Sequence, residues 1–222
     1  MKHNCIDMKY LFIGCCIFIF SGINAQQDQE AKVILDKAAD KTNSYKTIQA
    51  GFDLTVEDRK ENTTSTSKGK IMVKGDKYRV ESESNTVYFD GKTMWTFASD
   101  INEVTITEPD MEDEDFLGNP AKILLWYNRD FKYRYVQETT YNGKSVHEID
   151  LFPKNLDQPY SRIKLYLGTD DLLLYFVKSA GKDGIDYKIK LTDYILDKDL
   201  NDDLFVFDPT KHKKVEIIDM RF

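Results

Sequence analysis

Apolar positions in this chain change period once, early on. Between residues 26 and 45 they recur at helical spacing: Ile34, Ala38, Thr42 and Tyr45, with Leu35 beside them. That pattern predicts an amphipathic helix over 26–43 whose apolar stripe is modest and needs something to lie against. From Thr47 onward the period is two. Ile48, Ala50, Phe52, Leu54 and Val56 alternate with Gln49, Gly51, Asp53 and Thr55, the signature of a half-buried strand. Residues 57–68 are polar and rich in Thr and Ser, and read as a hairpin loop. Strands follow at 69–74 and 77–83 around Gly75-Asp76, at 86–89 and 93–97 around Asp90-Gly91-Lys92, and at 103–107. These turns hold Gly where positive φ is needed.

The same rhythm returns later, with strands at 133–138, 145–152, 162–167, 172–180 and 185–196. Asn142-Gly143 and the Gly-bearing segments 168–171 and 181–184 separate them. About ten strands on short connections make an antiparallel meander, because parallel neighbours need long crossovers. One interruption stands out. Residues 108–115 (EPDMEDED) are acidic and 116–127 (FLGNPAKILLWY) are apolar. Pro120 behind Asn119 predicts a short helix over about 120–128. The expected fold class is mainly β (α+β): a curled antiparallel sheet whose concave face is covered by the N-terminal helix and this short second helix.

The first 25 residues belong to a different chemistry. Lys2 and Lys9 precede an apolar run, YLFIGCCIFIF at 10–20, and Ala25 offers a small residue before Gln26. This reads as a cleavable secretory signal over 1–25, followed by one domain over 26–222. An uncleaved anchor is disfavoured, since the run is shorter than the roughly 20 residues a spanning helix needs. A lipoprotein signal at Gly14-Cys15 is disfavoured because apolar sequence continues past that cysteine. All three cysteines, Cys5, Cys15 and Cys16, fall within this segment. The exported chain is then cysteine-free and must be held by its core alone.

Charge excludes some functions. The 222 residues carry 31 Lys+Arg against 38 Asp+Glu, a net −7, and removal of 1–25 makes it −8. A nucleic-acid binder would be basic. Candidate catalytic groups are few. His147 and His212 remain after cleavage, in no metal-ligand spacing. There is no GxSxG elbow, no cysteine nucleophile and no glycine-rich phosphate loop. The acidic run lacks the spacing of a calcium loop and reads as solvated. The expectation is a protein that is not an enzyme and uses no cofactor or metal.

Several segments, in order, resemble the LolA family of periplasmic lipoprotein carriers. They are FDLT at 52–55, GKIMVK at 69–74, YRVE at 78–81, YFDGKTMWTF at 88–97, NPA at 119–121, and FVFDP at 205–209 with VEIID at 215–219. The hairpin F-D-G-K-x-x-W is the most specific piece. The resemblance implies an incomplete antiparallel β-barrel closed by a helical lid. It also implies a periplasmic job: taking acylated lipoproteins from an inner-membrane ABC complex like LolCDE and carrying them to an outer-membrane acceptor, as a monomer. The apolar cavity would be lined by Phe52, Leu54, Ile71, Val73, Val80, Phe89, Trp95 and Phe97, and the lid would carry Pro120, Leu124, Leu125 and Trp126. In one respect the chain departs from the family. The arginine that latches the lid in well-known members would follow Lys74, where this sequence has Gly75; Arg79 is a candidate substitute whose facing the sequence leaves open.

Two other readings use the same fold. One is a carrier of other lipids such as glycolipids, which the same apolar wall would serve. The other is a lipid-sensing module like the anti-sigma-factor regulators of the superfamily, although these usually carry a second domain. An enzyme on lipid or glycan is a third, weakened by the absent nucleophile constellations.

Overall fold

The computed structural model describes residues 28–108 and 130–221. Helix α1 (Gln29–Ser44) is followed by strands β1 (Ile48–Asp58), β2 (Thr63–Lys74), β3 (Lys77–Ser82), β4 (Asn85–Phe89), β5 (Met94–Ala98) and β6 (Glu103–Thr107). After residue 129 come β7 (Phe131–Tyr141), β8 (Lys144–Pro153), β9 (Tyr160–Gly168), β10 (Leu174–Gly181) and β11 (Ile185–Leu196). Two short 3-10 turns, Asp202–Phe205 and Pro209–Lys211, lead to β12 (Glu216–Asp219). All twelve strands form one curled, unclosed sheet in the order β12-β6-β5-β4-β3-β2-β1-β11-β10-β9-β8-β7. The fold is therefore mainly β with a covering helix, as the alternation predicts.

β1 is the hinge of this layout. It pairs with β2 on one side and with β11 on the other, and both ladders are antiparallel. Two arms extend from it, β2 to β6 and β11 to β7. The last strand is a surprise to the meander expectation. β12 pairs with β6 in parallel, with Ile217 opposite Val104. Its four residues have no alternation to reveal it, since all four are exposed. Its position covers the free backbone edge of β6.

The buried stripe of α1 differs from the one its sequence suggests. Ala31, Leu35 and Ala38 are its buried residues, with Ile34 and Ala39 packed beside them. Tyr45 lies outside the helix, as its C-cap. Asp28 caps the other end: its Oδ1 accepts the N–H groups of Glu30 at 3.0 Å and Ala31 at 3.2 Å. Its Oδ2 accepts the Tyr135 N–H of β7 at 2.9 Å, so one carboxylate satisfies orphan helix donors and ties the helix to the outer strand.

Residues 57–68 are not a loop. β1 runs to Asp58 and β2 starts at Thr63, paired to it residue for residue. Only 59–62 turn, with Asp58 Oδ1 accepting the N–H groups of Lys60 and Glu61 and Asn62 at φ 51°. Residues 63–66 are exposed on both faces, so nothing forces an apolar alternation, while β-branched threonine still suits a strand. Thr55 and Thr66, directly opposite, bring their hydroxyls to 3.2 Å.

The two faces of the β7–β11 arm differ in kind. On one, Ile149, Leu151, Ile163, Leu165 and Val177 pack against α1. On the other, Lys164, Lys178 and Lys188 stand directly opposite one another across β9, β10 and β11. Such like charges repel, and each is matched by an acid: Glu148, Asp186 and Glu57 respectively. Asp150 sits between Arg134 at 2.9 Å and Arg162 at 3.4 Å. The ionic face is convex, with Glu148, Asp150 and Asp186 buried beneath their basic partners; the apolar face is concave and holds the core.

Candidate functional site

α1 covers the concave face over the β7–β11 arm. The concave face of the β1–β3 arm carries a cavity of about 550 Å³, within the roughly 300–1,000 Å³ typical of ligand clefts. Its floor is apolar: Phe52 and Leu54 from β1, Ile71 from β2, Val80 from β3 and Ile189 from β11. Register explains the set. Leu54 is opposite Ile189 on one side, and Ile71 is opposite Val80 on the other, so all point to one face. Gly69 shapes this floor. It is opposite Phe52, and a Cβ there would lie 2.3 Å from the Phe52 ring. The ring rests where a side chain would have been.

One end of the cavity is polar. It is lined by Ser67, Ser82, Glu83, Ser84, Asn85 and Asp100. Two turns meet there: the Ser99 N–H donates to Ser84 O at 2.9 Å. Ser82 Oγ accepts the Asn85 N–H at 3.2 Å and donates to Asn85 O at 3.0 Å.

The eight strand residues expected at the cavity separate into three groups. Phe52, Leu54, Ile71 and Val80 line it. Val73 and Phe89 share its face but sit in packed surroundings, Val73 against the core under α1 and Phe89 with its ring 5.0 Å from that of Tyr78. Trp95 and Phe97 lie on the opposite face. Phe89 is opposite Met94, and Tyr88 is opposite Trp95, so the tryptophan shares its side with Tyr88 and Arg79. There Tyr88, Phe97 and Val104 form a second small core with Phe207. The expected lid residues Pro120, Leu124, Leu125 and Trp126 lie outside the described residues, as do the segment 1–25 and all three cysteines. Ile189, Gly69 and the polar end were not anticipated. Ile189 does alternate cleanly in sequence, but only the β1–β11 ladder, across more than a hundred residues, brings it beside Leu54.

Arg79 is also on the convex side, over the Tyr88 ring at 4.7 Å from its centroid and paired with Glu81. It does not reach the cavity. At Gly75, which turns the chain at φ 56°, the neighbouring lysines serve the C-terminal segment instead. Lys74 donates to Leu200 O at 2.7 Å, and Lys74 and Lys77 hold Asp202 at 2.7 and 2.6 Å. Hydrogen bonds from these two lysines hold the Asp202 carboxyl down to about 2. The segment then crosses the convex face, where Phe207 packs on Tyr88 and Phe97.

Both histidines lie against aromatic side chains. His212 stacks on Phe207 at 4.8 Å and sits 4.2 Å from the Phe97 ring. His147 Nδ1 lies 3.4 Å from the Tyr135 hydroxyl. Among the described residues no group of three or more His, Cys, Asp or Glu could hold a metal ion, and no helix is long and apolar enough to cross a membrane. What the concave face offers is a container with a greasy floor and a polar end.

Residues 43–208 match the family described as Outer membrane lipoprotein carrier protein LolA. No curated protein matches the chain. Among solved structures, an uncharacterized conserved protein from Thermus thermophilus superposes with a TM-score of 0.58 at 16% identity, covering 86% of this chain and 99% of that one. A putative outer membrane lipoprotein-sorting protein domain from Vibrio parahaemolyticus gives 0.44 at 10% identity, over 78% and 94% of the two chains. A LolA superfamily protein from Nitrosomonas europaea gives 0.43 at 12% identity, over 80% and 97%.

Proposed function

We propose that this chain, which belongs to the LolA family, binds the acyl chains of lipoproteins in its concave cavity and carries them from the inner to the outer membrane. The observation that carries this reading is the apolar floor of Phe52, Leu54, Ile71, Val80 and Ile189, left open beside α1 in a cavity of about 550 Å³. Burying a CH₂ group is worth about 0.8 kcal/mol, so a chain of about fourteen such groups gains roughly 11 kcal/mol on leaving water. Crossing an aqueous compartment therefore needs an apolar container, and needs no covalent chemistry. Release needs a cover that is held weakly; the apolar segment 116–127 is the part of the sequence suited to that role.

On this reading the segment 1–25 exports the protein to the periplasm. It works there as a monomer, loaded by an inner-membrane ABC complex of the LolCDE type and unloaded at an outer-membrane acceptor. The test is displacement of a bound hydrophobic dye from the exported protein by a triacylated peptide. Displacement is expected at stoichiometric peptide, and its absence would sink the proposal. Native mass spectrometry of the protein taken from its own envelope adds the cargo class: an acylated protein supports the lipoprotein carrier, and a free lipid points to a carrier of other lipids.

A further inference from the structure

Among the described residues, the polar end of the cavity carries acids and no base. Among the described lining residues, Glu83 and Asp100 are the ionisable ones, and the remainder are Ser67, Ser82, Ser84 and Asn85 around an apolar floor. Lysines are plentiful on this sheet, but Lys68 and Lys70 alternate with Ser67 and Gly69 onto the other face. The two carboxylates come from different turns, and the Ser99–Ser84 hydrogen bond holds those turns together. Neither Glu83 nor Asp100 is held by a lysine or arginine among the described residues, unlike Glu57, Glu148, Asp150, Asp186 and Asp202.

The change from apolar to polar is abrupt. Val80 and Ser82 point to the same face two residues apart on β3, a step of about 7 Å along the strand. A chain lying on Leu54, Ile71 and Val80 must therefore present the atoms just beyond its last buried carbons to Ser82, Glu83 and Asn85. A phosphate or carboxylate there would meet two uncompensated carboxylates on a chain of net charge −7. An ammonium would meet two acceptors of opposite charge and three serine hydroxyls.

Resting on the acyl-carrier reading, we propose that the polar end of the cavity selects its ligand by head group, accepting an acyl chain that bears an ammonium next to it and disfavouring one that bears a phosphate or carboxylate. Glu83 and Asp100 are the specificity-determining residues. The ammonium can belong to an acylated peptide with a lysine near its lipid anchor, or to an aminolipid.

Dye displacement separates these. Two palmitoylated peptides are compared that differ only in Lys or Glu beside the acylated residue, and hexadecylamine is compared with palmitate. The ammonium-bearing member of a pair is expected to bind about fivefold tighter at low salt, the size two partly exposed ion pairs supply. That preference should shrink at high salt. Preference in the peptide pair assigns the ammonium to a lipoprotein, and preference in the lipid pair alone assigns it to an aminolipid. Both side chains are exposed, so Glu83→Gln with Asp100→Asn should keep the fold, read as an unchanged urea midpoint, while abolishing the preference, and Glu83→Lys should reverse it. Displacement by both members with equal affinity, or preference for the anionic one, would overturn the selection while leaving the carrier intact. No displacement by any ligand would overturn the carrier reading itself.

Discussion

Gly69→Ala probes how the cavity floor is built. The added Cβ would stand 2.3 and 2.7 Å from Cζ and Cε1 of Phe52 and 2.1 Å from the carbonyl oxygen of Glu81. Both approaches are closer than nonbonded carbon tolerates, but they differ in what can yield. The Phe52 ring can swing about χ1, and the open direction is into the cavity. The Glu81 carbonyl cannot move alone, because Glu81 is registered against Lys70 in the β2–β3 ladder. In an unstrained strand, replacing Gly by Ala would stabilise by about 0.4–1 kcal/mol through the unfolded chain. Here overpacking should reverse the sign and cost about 1–3 kcal/mol, read as a lower urea midpoint at unchanged slope. Dye affinity should fall with it as the ring enters the cavity. In a Phe52→Ala background the ring contribution vanishes and the carbonyl contribution stays, so the double-mutant cycle should show coupling of at least about 0.5 kcal/mol. A variant as stable as the parent, with unchanged dye binding, would refute both the position of the ring over Gly69 and its part in the floor.

Three further outcomes follow from the same geometry. Leu35→Ala removes a fully buried side chain from the face of α1 against the sheet and should cost about 2–5 kcal/mol in urea unfolding; a loss below about 1 kcal/mol would mean the helix is not docked as described. Trp95→Phe, on the convex side, should leave dye affinity within about twofold, whereas Val80→Lys, which places a charge on the cavity floor, should reduce it by more than about tenfold; equal effects in titration would mean the faces are misassigned. Asp202, held to about 2 by Lys74 and Lys77 against an ordinary 3.8, contributes stability that is fully present above its unfolded value and is lost as pH falls through about 2. Hydrogen exchange of residues 200–207 should therefore be unchanged from pH 7 to 5 after intrinsic correction and accelerate between pH 4 and 2, and Asp202→Asn should already be fast at pH 5.

Much of the architecture is written in local pattern. The strands of both arms alternate because one face of each is buried, and the ordering of turns leaves antiparallel pairing as the short connection. Three features escape that logic for separate physical reasons. The threonine-rich start of β2 has no buried face, so propensity rather than alternation makes it a strand. β12 is an exposed edge segment whose place depends on Asn102, whose Nδ2 donates to the carbonyls of Lys213 and Lys214 at 3.1 and 3.0 Å and whose carbonyl accepts the Glu216 N–H at 3.0 Å. No local signal announces a partner more than a hundred residues away. The polar end of the cavity likewise joins a β3–β4 turn to a β5–β6 turn, each of which reads in sequence as ordinary solvated loop.

The misplacing of Trp95 and Phe97 turns on a single residue. Reading Asp90-Gly91-Lys92 as the loop puts Phe89 opposite Thr93, and then Phe89, Trp95 and Phe97 all fall on one face. The structure closes the loop over four residues. Asp90 Oδ1 accepts the N–H groups of Lys92 at 2.9 Å and Thr93 at 2.8 Å, and Asp90 N–H donates to Thr93 O at 3.3 Å. That side-chain turn draws Thr93 into the loop, where it is buried, and the ladder resumes with Phe89 opposite Met94. Because side chains alternate with a period of two, a shift of one residue sends every later side chain of the strand to the other face. The consequence is functional as well as geometric. The aromatic pair leaves the concave side, where it would have extended the apolar floor beyond β4, and becomes the bed for Phe207 on the convex side. The apolar floor of the cavity comes from β1, β2, β3 and β11 and ends beside the Ser82–Asn85 turn.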